Sequence, residues 1–318
     1  MKASAARAFG EPVDLPIVVG VDGSEPSLRA VEWAADEAAL RGASLRLVYA
    51  SLWERYEGMS LAHDLGRPSE EVMAEDIVET AERRARRLQP GLKVTTDVLP
   101  EEAGYGLIRE TQSALAMVLG CRGRSGVTEA LLGSVSITVA GHAHCPLIVV
   151  RGSHDNRSGA LGRIVLGVSD EQAGSAAVRF AVEEALLREV PLEAVRAWRR
   201  PLHEPRAHLL IVGEPAHLQE RQAAEAVEEA LRDIPAGLKV HRRTIEGFAR
   251  DALLAVSREA DLLVVGARRR RGHFGLQLGR LTHGVLHHAS CPVAVVPERL
   301  CPPVHTDHSA GDGRVTGS

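Results

Sequence analysis

Between Gly120 and Ser134 the chain reads GCRGRSGVTEALLGS: a glycine, two residues, a second glycine, nine residues, then Gly-Ser. Glycines let a backbone come close to an oxygen-rich ligand, and free amides at a helix N-terminus attract anions, so the stretch suits phosphate. Ser134 reads as the N-cap of a following helix, with a hydroxyl that could also bond a phosphate. A second candidate, Asp22, follows the apolar run PIVVGV (Pro16–Val21) at an Asp-Gly-Ser turn. A carboxylate beside a phosphate loop suits a ribose hydroxyl or a base amino group. No Gly-x-x-x-x-Gly-Lys-Ser/Thr sequence is present, so a Walker-type ATPase is not supported, and no catalytic residue is assigned.

His142, His144 and Cys145, with His287, His288 and Cys291, invite a metal reading. Their spacing fits no common zinc arrangement, so no metal site is assigned. His142 and His288 instead read as helix C-terminal residues favoured by the dipole, and the two cysteines as openers of buried strands. The adjacent acids Glu101-Glu102 and Glu183-Glu184 fall on different sides of their elements and read as solvated faces.

Bringing Asp22 to the glycine loop requires strands that end side by side. From Pro26 to Arg41, Leu28, Val31, Trp33, Ala34, Ala38 and Leu40 recur near helical spacing, and Gly42 closes the stretch. Leu45–Ala50 reads as a strand, Ser69–Leu88 as a charged amphipathic helix, and Val94–Leu99 as a strand. A helix around Tyr105–Ser113, a strand Leu115–Leu119, a helix from Ser134 and a strand Pro146–Val150 follow. The alternation predicts an α/β fold, a doubly wound parallel sheet covered on both faces. Ligands of such sheets settle beyond the carboxyl ends of strands where the strand order reverses, and there Asp22 and Gly120 would face one another.

The segment from Ala30, AVEWAADEAALRGASLRLVYA, recurs from Ala177 as AVRFAVEEALLREVPLEAVRA, an offset of 177 − 30 = 147. Gly120 recurs as Gly266, Gly133 as Gly279 and Cys145-Pro146 as Cys291-Pro292, each 146 residues on. So long a period means a duplicated domain and not a solenoid. The expected units are 1–151, which keeps the ligand-binding residues, and 160–298, joined by the polar linker Arg151–Leu161, with 299–318 as a disordered tail. In the second copy Ser169 stands for Asp22, Arg269 for Gly123 and Arg280 for Ser134. One reading is a degenerate nucleotide site whose pocket Arg269 and Arg280 fill, paired with Asp170. Another is a grip on a different anion, and a third is that Arg268–Arg271 is a solvated loop. The last strands, Leu147–Val150 and Val293–Val296, offer edges that could pair the two domains of one chain or two chains of a homodimer.

Hydrophobic residues make up 45% of the 318 and charged residues 25%, and no run approaches the roughly 18 apolar residues of a spanning helix, which excludes an integral membrane protein of that kind. A formal charge of −4 supplies no overall positive field for a nucleic-acid backbone, and 3% aromatics are too few for a stacking platform. Met1–Gly10 lacks the apolar stretch of a signal peptide, and the four cysteines show no CxxC pairing; a cytoplasmic location with reduced thiols is expected.

PIVVGVDGS at Pro16, VLGCRGRSG at Val118, the Gly-x2-Gly-x9-Gly-Ser spacing and HAHCPLIVV at His142 resemble the universal stress protein family, in its tandem form and its ATP-binding branch. The resemblance implies two tandem doubly wound domains, each a five-stranded parallel sheet of order 3-2-1-4-5, and ATP as cofactor, with or without Mg2+. It implies that Asp22 and Val48 meet ribose and adenine, that Gly20 lies against the nucleotide, and that Gly120, Gly123, Arg124, Ser125, Gly126, Gly133, Ser134 and Val135 surround the phosphates. Leu115 departs from it, standing where the family often has Asp, as Asp261 does in the second copy; the expected effect is on local packing. The implied role is a stress-response regulator or sensor whose nucleotide changes conformation or partner choice, and not a metabolic enzyme. Two other classes stay open: slow ATP hydrolysis or self-phosphorylation on Ser134 or Ser125, and a scaffold with purely structural nucleotide.

Overall fold

Short runs rich in Val, Ile and Leu become strands, and the alanine-rich or charged stretches between them become helices, as their side chains favour. A computed structural model of the protein describes residues 15–52, 69–121, 132–153, 157–169, 174–199, 214–267 and 278–298. Gly123, Arg124, Ser125, Gly126, Asp170, Arg269 and the expected tail 299–318 lie outside the described residues.

The first domain runs β1 (Ile17–Gly20), α1 (Glu25–Arg41), β2 (Leu45–Ala50), α2 (Ser69–Leu88), β3 (Val94–Leu99), α3 (Ala103–Glu110), β4 (Ala116–Gly120), α4 (Ser134–His142) and β5 (Leu147–Val150). The second repeats it as β6 (Ile164–Gly167), α5 (Ala176–Leu187), β7 (Leu192–Trp198), α6 (Glu214–Ala230), β8 (Val240–Glu246), α7 (Ala249–Val256), β9 (Leu262–Ala267), α8 (Arg280–His288) and β10 (Val293–Pro297). Local signals set the boundaries of α1. Ser24 caps it by accepting from the Ser27 amide, Pro26 sits in the first turn where no amide is needed, and Gly42 ends it at φ 66°.

All ten strands join one sheet, in the order β3-β2-β1-β4-β5-β10-β9-β6-β7-β8. Each half has the order 3-2-1-4-5 with parallel neighbours, and the halves meet where β5 pairs antiparallel with β10. Across that seam Ile148 faces Ala294, Leu147 faces Val295 and Val149 faces Val293. Ile148 and Ala294 are repeat equivalents (294 − 146 = 148), and the flanking partners exchange, so a pseudo-two-fold axis passes through the seam. The intrachain alternative for the last strands is therefore the one observed. Both cores run across it: Val19, Val31 and Ala34 share one with Leu166, Ala181 and Val264, and Val18, Met117 and Leu147 share the other with Val165, Leu263 and Val293. Among the described residues, no helix is long and apolar enough to cross a membrane.

On the first of these faces α1 and α5 bring four charges together. Arg41 bonds both Glu37 and Glu184, and Arg188 bonds Glu37 and, at 3.0 Å, Glu184. The Glu37 and Glu184 side chains are 2% and 0% exposed. Arg41 lies over the Phe180 ring and Arg188 over that of Trp33, each 5.5 Å from the centroid. Glu37/Glu184, Arg41/Arg188 and Trp33/Phe180 are all related by the 147-residue offset, so the cluster obeys the pseudo-two-fold axis. This corrects the solvated-face reading of Glu183-Glu184: Glu183 is half exposed, 3.7 Å from Arg41, but Glu184 is fully buried because two guanidiniums neutralise it. Burial and then the charge of Glu184 raise the Glu37 carboxyl to about 7. Burial also pushes Glu184 up, but the charges of Arg41 and Arg188 outweigh it and hold that carboxyl below its usual range.

Candidate functional site

The strand order reverses at β1, which lies between β2 and β4, and Gly20 pairs in register with Val48 on one side and Leu119 on the other. The chain leaving β1 turns through Asp22 and Gly23 (φ 79°) into α1. Asp22 is half-buried; its Oδ1 accepts from the Ser24 amide (3.0 Å) and the Ser24 hydroxyl (2.6 Å), an Asx turn that fixes the carboxylate at the mouth of the cleft. Its amide donates to the Ser27 hydroxyl at 3.4 Å. Among the described residues, Oδ2 takes no hydrogen bond.

Gly120 closes the other side. A Cβ there would lie 2.7 Å from the carbonyl carbon and oxygen of Pro26 and 2.9 Å from the Ser27 amide, all backbone atoms that cannot yield. Only glycine lets the start of α1 pack onto the end of β4, and this packing brings Asp22 and Gly120 to the same place. Gly20 has a comparable cause, since its Cβ would meet Leu119 Cδ2 at 2.6 Å and Leu107 Cδ1 at 2.9 Å. Its glycine is accounted for by α3 packing beneath the strand. Val48 is fully buried and its carbonyl accepts from the Val21 amide at 2.9 Å.

The Gly133 amide donates to the Cys121 carbonyl at 3.1 Å. The N-cap of α4 is Gly133 (φ −67°, ψ 150°), with no side-chain cap bond, and Ser134 is the first helical residue, which corrects the expectation that Ser134 caps. Gly133 takes the extended cap conformation, which is open to any residue, and the helix starts one residue later with the Ser134 hydroxyl already inside the first turn. Ser134 is exposed, Val135 half-buried, and Ser136, which was not singled out from sequence, donates from its buried hydroxyl to the Gly120 carbonyl at 3.2 Å. Uncapped first-turn amides, an exposed hydroxyl and a carboxylate that accepts hydrogen bonds form a donor set that fits a nucleotide: N–H and O–H groups for phosphate oxygens, Asp22 for hydroxyl or amino groups.

The second domain keeps the frame. Val168 donates to the Val195 carbonyl as Val21 does to Val48, and Gly279 caps α8 as Gly133 caps α4. At its switch point, Gly167, Ser169, Val195, Ala249, Val265 and Leu281 are among the residues lining a mainly apolar cavity of about 40 Å³. That is far short of the ~300 Å³ at which ligand pockets begin. Arg280 is exposed on the first position of α8.

Among the described residues, no three His, Cys, Asp or Glu side chains cluster in a way that could hold a metal ion. His142 Nδ1 donates to the Thr138 carbonyl (2.9 Å) in the last turn of α4, and burial pushes the thiols of Cys145 and Cys291 up to about 12. Glu102 caps α3 by accepting from the Tyr105 amide at 3.1 Å, and Glu101 pairs with Arg109, so this acid pair is partly structural.

A duplicated, doubly wound sheet with a glycine-lined cleft at each strand-order reversal defines the class. Residues 15–151 and 161–297 each match the Universal stress protein family, and the chain belongs to that family. A universal stress protein of Mycobacterium tuberculosis is 30% identical over 311 residues, covering 90% of this chain and 97% of that protein. The crystal structure of a universal stress protein from Archaeoglobus fulgidus covers 90% of this chain and all of its own, with a TM-score of 0.62 at 18% identity.

Proposed function

We propose that the first domain binds an adenine nucleotide, ATP, at the β1/β4 switch point, and that occupancy of this site changes conformation or partner choice in a stress-response regulator. The observation that carries the reading is the chain of contacts from Asp22 to Ser27, from Ser27 to Gly120 and from Gly120 to Ser136, which links the carboxylate to the uncapped first turn of α4. In this reading Asp22 binds ribose or base. The amides of α4, Ser134 and the glycine-loop residues Gly123, Arg124, Ser125 and Gly126 bind phosphates, with or without Mg2+, and the second domain is a degenerate copy. Supporting the last point are Ser169 in place of Asp22, Arg280 in place of Ser134, and the small apolar cavity. Mass spectrometry of small molecules released from freshly purified protein tests it: adenine nucleotide at about one per chain is expected. Two per chain would remove the degenerate-copy reading, and none would remove the site itself.

The exposure of Ser134 at the anion-binding end favours one second reading, slow self-phosphorylation. Phosphate on Ser134 after incubation of highly purified protein with ATP would move the function from sensor to enzyme.

A further inference from the structure

The residue that leads into α4 of the first domain is held by the second domain. Leu132 is 7% exposed, and its amide donates across the domain boundary to His287 Nδ1 at 3.3 Å. Its neighbour Gly133 is the N-cap of α4 and is tied to Cys121, so two successive amides fix the approach to the helix, one to each domain. His287 lies in the last turn of α8, its ring 4.3 Å from that of His283 and 6.0 Å from that of His288. From the first domain, the Arg151 guanidinium donates to the carbonyl of Leu286, the residue before His287. The same helical turn is thus gripped from the first domain and grips it in return.

The tie is one-way. The repeat equivalent of His287 is Gly141 (287 − 146 = 141), which has no side chain to reach Leu278, the equivalent of Leu132. An acceptor at Nδ1 also requires the ring to be neutral with its proton on Nε2.

We propose that His287 is a positioning residue for the phosphate end of the first domain's nucleotide site. By holding the Leu132 amide it fixes Gly133 at the cap of α4 and so aims the first-turn amides at the anion. The inference rests on the nucleotide reading above and deepens it: the second domain supplies a brace to the first domain's site. Its chemical signature is selectivity, because the brace acts on the end of the cleft that meets phosphates and not on the Asp22 end.

The test uses the full chain and compares His287→Phe, which keeps a ring but removes the acceptor, with His287→Asn, whose Oδ1 can stand where Nδ1 does. Calorimetric titration with ATP and with adenosine is run beside thermal unfolding and amide exchange of the nucleotide-free protein. Loss of one hydrogen bond predicts roughly five- to tenfold weaker ATP binding for H287F, with adenosine within about twofold of wild type. H287N is expected to recover ATP binding to within about threefold. The Leu132 amide is expected to exchange at least about tenfold faster in H287F. An equal loss for ATP and adenosine, unchanged ATP binding, or failure of rescue in an H287N protein as stable as wild type would each overturn the proposal. Should H287F fail to fold, His287→Gln displaces the acceptor without emptying the site, with the same ATP-selective loss expected and its absence equally decisive. Wild-type protein that binds neither ligand would sink the nucleotide reading itself.

Discussion

At the strand that opens each domain the two copies meet one packing requirement with different residues. In the second, Asp261 accepts from the amides of Leu161 and Arg163, both at 2.9 Å, and seals the entry to β6. The first copy has Pro16 where Arg163 stands (163 − 147 = 16), so one of those amides does not exist, and Leu115 replaces the carboxylate (261 − 146 = 115). The backbone bond between the two positions survives in both, Leu115 to Pro16 and Asp261 to Arg163 at 2.9 Å. The same pairing of changes recurs on the sheet. Arg46 bonds Asp97 at 2.7 Å in the first copy, while the equivalents Glu193 and Arg243 bond at 3.2 Å with the charges exchanged. Where α3 meets α4, Gly104 lies beneath Thr138; in the second copy Arg250 lies against Gly284, with bulk and glycine exchanged.

Positions that hold the frame thus differ in compensated pairs, each keeping its bond or its volume. Two positions of the proposed nucleotide site differ without such a pairing: Asp22 becomes Ser169 and Ser134 becomes Arg280. The sheet has been kept in both halves while two positions of the proposed nucleotide site differ between them, and the proposal of unequal roles rests on that difference.

That comparison can be broken most strongly at its symmetric centre. Arg41→Met and Arg188→Met should each destabilise by about 3–5 kcal/mol in denaturant unfolding, because either leaves buried Glu37 and Glu184 with one cation between them. The two losses should agree within about 1 kcal/mol, and a large inequality would mean that the two-fold relation is one of shape and not of energy. Replacing all four charged residues by apolar ones should restore most of the stability.

The next effect is one of pH. The folded-state value of Glu37 is raised from 4.5 to about 7, so in that window the folded protein keeps a proton that the unfolded chain has released. The contribution of this group is therefore fully present below about pH 4.5 and is lost as pH rises through 7, an effect of order 3 kcal/mol at most. Glu184, shifted downward, acts in the opposite sense, its contribution being lost only as pH falls below the ordinary glutamate range. Melting curves of wild type and Glu37→Gln between pH 4.5 and 7.5 isolate the group: the difference between them should shrink toward acid pH, and a difference independent of pH would refute it.

Smaller effects sharpen the asymmetry. Gly20→Ala should cost about 1–3 kcal/mol, since its Cβ would lie 2.6 Å from Leu119; Gly167→Ala, whose nearest neighbour is Leu253 at 3.0 Å, should cost less than about 1 kcal/mol by the same assay. Least of all, Leu115→Asp alone should destabilise and Pro16→Arg should recover part of the loss, with a coupling of about 1 kcal/mol in a double-mutant cycle. Strict additivity would show that the Asp261 arrangement is not transferable between copies.

Much of this frame was legible beforehand because its signals are local and periodic. The repeat offset, the strand and helix order, the switch point and the meeting of Asp22 with Gly120 follow from apolar runs, Asp-Gly-Ser and glycine spacing. The helix cap was read one residue late, as glycine and serine both satisfy an N-cap and the sequence Gly-Ser does not rank them. Glu184 was misread because it is buried against the other domain, where one of its two neutralising partners, Arg41, is 143 residues away in sequence. A usable signal did exist: Glu and Arg four apart recur at equivalent positions in α1 and α5, below an aromatic at equivalent positions, which is what a buried symmetric contact requires. The His287 bond left no such trace, since it has no counterpart in the other copy.

The seam between β5 and β10 also sets an order of events during synthesis. Val149 meets Val293, 293 − 149 = 144 residues downstream. At 5–20 residues per second the ribosome needs about 7–30 s to cover that distance. Through that interval the first domain of a nascent chain carries an unpaired, fully apolar strand edge, and the partner it awaits is matched in shape by the same edge on a neighbouring ribosome's chain.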